Sequence, residues 1–210
     1  MTLSLLIAIT DLGDSAVVIA LAMLTAAHLA WLGYRRAAWT LVLVLIAAAG
    51  TIGLLKVVFV GCGAELFSLR VHSPSGHVAM SVAVYGILAG LFARSLNGWF
   101  RAIPIMLSIA LAGAIAVSRI VLGMHSIDEV IVGIAVGIAV AGAGFALLAA
   151  TKAQPIRMGR LLALLVVVAV VMDGMRLPAE DLVRYLASLA HQNVPYCATM
   201  DATGWPIRRL

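Results

Sequence analysis

Apolar residues run through this chain in blocks of about twenty, separated by short stretches richer in glycine, proline and charge. Six blocks predict helices, at about 15–34, 37–60, 77–93, 102–122, 127–151 and 158–175. A hydrocarbon core of about 30 Å takes roughly 20 residues of α-helix, so each block is a candidate membrane span. The two flanks differ. Residues 1–10 are apolar but too short to span, and Asp11, Gly13 and Asp14 end them. Beyond Pro178, the stretch AEDLVRYLASLAH places Leu182, Tyr185, Leu186 and Leu189 on one helical stripe. Both flanks read as interfacial, the second as a helix lying on the outer membrane face.

Composition agrees with the pattern. The 210 residues are 64% hydrophobic and 11% charged, with a mean hydropathy of +1.13, against roughly 25% charged residues in soluble domains. The expected architecture is an all-α polytopic membrane protein, a bundle of six transmembrane helices in a single domain over 1–210. Its core would cover about 15–175 and its amphipathic tail about 178–210. No Lys or Arg precedes Arg35, so the basic region of a secretory signal is missing and no cleavable leader is expected. The net charge of +5 is spread singly or in pairs between apolar runs, which argues against a nucleic-acid partner.

Those cations set an orientation instead. Arg35 and Arg36 follow the first helix, Arg94 and Arg101 flank the next odd loop, and Lys152, Arg157 and Arg160 follow the fifth helix. The positive-inside rule makes these loops cytoplasmic. The termini and the other two loops then face outward, and those two loops hold most of the unusual polar residues. In a bacterium this is a multi-pass inner-membrane protein with its polar groups on the periplasmic side. Cys62 and Cys197 would share that oxidising side, where they could pair and tie the tail over the loop.

Three outward stretches suggest phosphate chemistry. Lys56 lies near the outer end of helix two, Pro74-Ser75-Gly76-His77 opens helix three, and SRIVLGMHSIDE (118–129) joins helices four and five. A helix starting near Gly76 offers free N–H groups and a positive dipole end to an anion. Ser75 can donate a hydroxyl, and Lys56 and Arg119 add charge, Arg as a planar fork. One histidine can attack phosphorus as neutral imidazole while another protonates the leaving oxygen. Glu129 follows His125 by four residues and can hold its N–H. Ser126-x-x-Glu129 is also a capping-box spacing, so a cap and a histidine-orienting role compete for Glu129. The scheme needs no metal and no cofactor.

These residues resemble the type 2 phosphatidic acid phosphatase superfamily, which also contains vanadium-dependent haloperoxidases. Its pattern is Lys-x6-Arg-Pro, then Pro-Ser-Gly-His, then Ser-Arg-x5-His-x3-Asp. The second element matches at Pro74–His77 and the third at Ser118, Arg119 and His125, with Glu129 replacing Asp. In the first, Lys56 fits, but Gly63 and Ala64 stand where Arg-Pro is expected; Arg70 is the nearest substitute. The resemblance implies His125 as nucleophile forming a phosphohistidine, Glu129 orienting it, and His77 as general acid. It makes Lys56, Ser75, Gly76, Ser118 and Arg119 phosphate ligands. The implied activity is a metal-independent lipid phosphate or pyrophosphate phosphatase, acting on substrates such as undecaprenyl pyrophosphate or phosphatidic acid. Its partners are the lipid substrate and the bilayer. The rivals are a lipid phosphotransferase and a non-catalytic protein that binds lipid phosphate.

Overall fold

The computed structural model describes residues 3–62, 71–149, 163, 166–168, 170–172 and 179–193. Among these, all regular structure is helical: α1 Leu3–Asp11, α2 Ser15–Trp31, α3 Arg35–Cys62, α4 Gly76–Arg94, a 3-10 turn Gly98–Arg101, α5 Ala102–Val121, α6 Ile127–Ala149 and α7 Ala179–Asn193. Four of the described helices are long and apolar enough to cross a membrane: α3, α4, α5 with its leading turn, and α6. The pair α1 and α2, bent by 42°, would make a fifth. Most of the expected sixth span lies outside the described residues. Within it, 166–168 and 170–171 are helical, and Val168 is buried in the core. Arg70 and Cys197, and with Cys197 its pairing to Cys62, also lie outside them.

Local chemistry sets the helix ends. α2 stops three residues short of the expected 34 because Gly33 takes φ 86°. The Tyr34 N–H then reaches back to the Leu29 carbonyl and the Gly33 N–H to that of Ala30, a Schellman closure that favours glycine. α3 begins on Arg35 and Arg36, two cations at the positive end of a helix dipole, where they are locally unfavourable.

α4 is the hub. Fourteen of its residues are buried, and it packs against α2, α3, α5 and α6, as a helix apolar on all sides should. One face of α6 lies against it through small residues. A Cβ on Gly133 would fall 2.7 Å from the Ser75 carbonyl oxygen, and one on Gly137 2.6 Å from the Val82 Cβ. The sequence GIAVG is therefore a close contact within the chain. Gly133→Val should lower the apparent unfolding temperature in detergent by several degrees, from roughly 1–3 kcal/mol of overpacking. Gly142→Ala, with nothing within 4 Å of the new methyl, should not. Equal melting of both variants would contradict the packing described.

The flanks do more than rest on an interface. α1 packs on α5 with Leu6 and Thr10 buried. α7 packs against α3 with Ala187 buried, leaving Leu182, Tyr185, Leu186 and Leu189 exposed on an adjoining stripe.

Candidate active site

The outer end of α5 is shaped by Gly123. With φ 66° it lets the Met124 N–H return to the Arg119 carbonyl at 3.0 Å and its own N–H to the Ile120 carbonyl. The His125 N–H reaches that same Arg119 carbonyl at 3.3 Å. His125 is thus held beside Arg119 by backbone geometry, before any side-chain contact acts.

Its side chain is held by Glu129. The carboxylate Oε2 lies 2.9 Å from His125 Nδ1 and accepts the Ser126 N–H at 3.1 Å. The Ser126 hydroxyl in return accepts the Glu129 N–H at 3.3 Å. Oε1 accepts two further backbone N–H groups, from His72 at 3.1 Å and Ser73 at 2.8 Å. The capping box and the contact with histidine therefore coexist, because one oxygen serves both and the other staples the loop before α4. The Glu129 carbonyl completes the staple by accepting the Ser75 N–H at 3.1 Å.

That staple places PSGH. Ser75 occupies the N-cap of α4, yet its hydroxyl makes no cap bond; the oxygen is buried and has no partner among the protein groups. A buried hydroxyl in that condition is costly unless a ligand satisfies it, and an anion at the helix N-terminus would. Gly76 lies against Ile52, whose Cγ2 would be 3.4 Å from an added Cβ. Ile52 stands one turn before Lys56 on α3. Lys56 is buried, and its charge acts on His125. Ser118 is also buried, but its hydroxyl donates to the Ile115 carbonyl at 2.7 Å, leaving only acceptor capacity for a ligand.

The surroundings of His125 favour its neutral form. Burial pushes its pKa below the ordinary histidine value; the charges of Arg119 and Lys56 act in the same direction, and Glu129 only partly opposes them. The Glu129 carboxylate engages Nδ1, so Nε2 is the ring nitrogen not engaged by it.

The family model of the PAP2 superfamily matches residues 59–153. Over that segment, a little under half of the chain, the protein is similar to the PAP2 superfamily. No curated protein and no solved structure matches the chain. The PAP2 segment contains PSGH and the 118–129 stretch, and it points to phosphatase-type activity. Lys56 lies just outside it.

Two residues at this end of the bundle escape a reading by motif. Thr10 lies 3.4 Å from an Arg119 terminal nitrogen, and Asp14 Oδ2 lies 3.5 Å from His77 Nε2. Both precede the PAP2 segment. The available signal was an acidic residue between two apolar runs followed by Ser15, a helix-start signature. Its proximity to His77 is tertiary. His72 and His191 are exposed, and His28 packs against Trp31 with ring centroids 6.1 Å apart.

Proposed function

We propose that the protein is a membrane-embedded phosphatase that removes phosphate from a lipid phosphate or pyrophosphate. The observation that carries this reading is the His125–Glu129 pair, held beside Arg119 and facing the end of the bundle where α4 begins with a buried, unpartnered Ser75 hydroxyl. In the first step His125 Nε2 attacks phosphorus and the bond from phosphorus to the lipid oxygen breaks. That oxygen takes a proton from His77. In the second step water attacks the phosphohistidine, gives its proton to His77, and the N–P bond breaks to release orthophosphate. Lys56, Arg119, Ser75 and the first N–H groups of α4 hold the phosphoryl oxygens and stabilise the charge spread over them.

A lateral groove supports a lipid substrate. α5 and α6 both pack on α4, and between them runs an apolar cavity of about 460 Å³ lined by residues including Val82, Ala112, Ile134, Ile138 and Phe145. Val82 is five residues after His77, and Ile134 five after Glu129. A tail in this groove would lie in the bilayer with its phosphate at the site. The distribution of arginines along the sequence supports a site on the extracytoplasmic, periplasmic face.

The deciding experiment is phosphate release by purified protein in lipid vesicles, tested against a panel of lipid monophosphates and pyrophosphates. Release from at least one is expected; transfer of phosphate to an acceptor lipid without release would instead make the protein a phosphotransferase. Turnover should persist in excess chelator, since no step requires a metal; loss of activity restored by a divalent cation would overturn the scheme. Arg70 is proposed to replace the missing motif arginine. Arg70→Ala should reduce kcat/KM about tenfold to a hundredfold, from roughly 1.5–3 kcal/mol of charge-assisted contact. Unchanged kinetics would remove Arg70 from the site.

A further inference from the structure

We infer that Asp14, at the break between α1 and α2, is the positioning residue for the proton donor His77, an inference that rests on the phosphatase reading. The Asp14 Oδ1 accepts the Ala16 N–H at 2.8 Å and so caps α2, while Oδ2 lies 3.5 Å from His77 Nε2. One oxygen fixes the carboxylate and the other faces the imidazole.

The break itself is gripped by α4. His77, Ser81 and Tyr85 recur every four residues along one face of that helix. The Tyr85 hydroxyl donates to the Leu12 carbonyl at 2.6 Å. A Cβ on Gly13 would come within 3.0 Å of the Ser81 Oγ and 2.7 Å of the Ile115 Cγ2. Glycine is required there by close approach. The same face of α4 that carries the proton donor therefore locks Asp14 in register with it.

The chemical effect follows from which nitrogen is held. A carboxylate at Nε2 leaves Nδ1 to give its proton to the departing oxygen and later to take one from water. Asp14 keeps its own charge throughout and steadies the imidazolium. The arrangement parallels Glu129 at His125 with the two ring nitrogens exchanged and a longer contact, 3.5 Å against 2.9 Å.

The test compares two substrates and two backgrounds. Asp14→Asn keeps a good helix cap while removing the charge. With a lipid monophosphate, whose alkoxide leaves poorly, Asp14→Asn should lower kcat about tenfold or more with little change in KM. With a nitrophenyl phosphate, whose phenolate leaves readily, the loss should be much smaller. In a His77→Ala background Asp14→Asn should add nothing. Equal losses on both substrates, or an undiminished loss in the His77→Ala background, would reduce Asp14 to a helix cap. Asp14→Ala, which also loses the cap, identifies instability by a melting shift that Asp14→Asn should lack. Absence of phosphate release by the wild-type protein from every substrate would overturn the phosphatase reading and the role of Asp14 with it.

Discussion

His125→Ala should abolish phosphate release while the chain still accumulates in the membrane and melts near the wild-type temperature. In the proposed mechanism the side chain supplies the atom that bonds to phosphorus, so its loss removes the covalent step itself. Rapid acid-free quenching of wild-type protein with a labelled substrate should trap label on the protein, and His125→Ala should carry none. The rate should also depend on pH in a defined way. On that mechanism neutral His125 is the reactive form, and burial together with Arg119 and Lys56 holds its pKa below the usual value, near 6.5 for a free histidine. Activity should therefore rise with pH along an acid limb centred below that value and be fully developed, as far as this group is concerned, at neutrality. Near-normal turnover in His125→Ala would refute the mechanism.

Glu129→Gln should have the second-largest effect. Two of the contacts at stake, to His125 and to the paired N–H groups of His72 and Ser73, are charge-assisted. At roughly 1.5–3 kcal/mol for each, their loss corresponds to about a hundredfold to ten-thousandfold in rate. The sign of the pH effect separates this residue from the cations. Glu129 raises the His125 pKa, so Glu129→Gln should move the acid limb to still lower pH. Lys56→Gln, which removes a charge that lowers it, should move the limb upward. A limb that moved upward in Glu129→Gln would show that the carboxylate does not act on the nucleophile.

The candidate spans α3 to α6 were legible because bilayer physics favours long apolar runs, which hydropathy detects. α4, α5 and α6 end within two residues of the boundaries expected from apolar runs and turn signals. Gly123 was visible as a residue, but not the left-handed turn that hangs His125 from the Arg119 carbonyl. For Glu129, sequence offered two competing roles because spacing describes one contact at a time. The carboxylate has two oxygens and fills both roles, while also reaching a loop more than fifty residues upstream. Asp14 was legible only as the end of an apolar run. No local periodicity connects it to His77, and the contact exists only once α2 lies beside α4.

The break at residues 12–14 also bears on how the proposed site is assembled. The site draws on Asp14 at one end and Glu129 at the other, with α2, α3, α4 and α5 inserted between them in synthesis. A nascent chain that has placed only its helices up to α4 in the membrane holds Asp14 and His77 but neither His125 nor Glu129. On the phosphatase reading, hydrolytic competence is therefore reached only when the start of α6 docks on α4, late in the synthesis of the bundle.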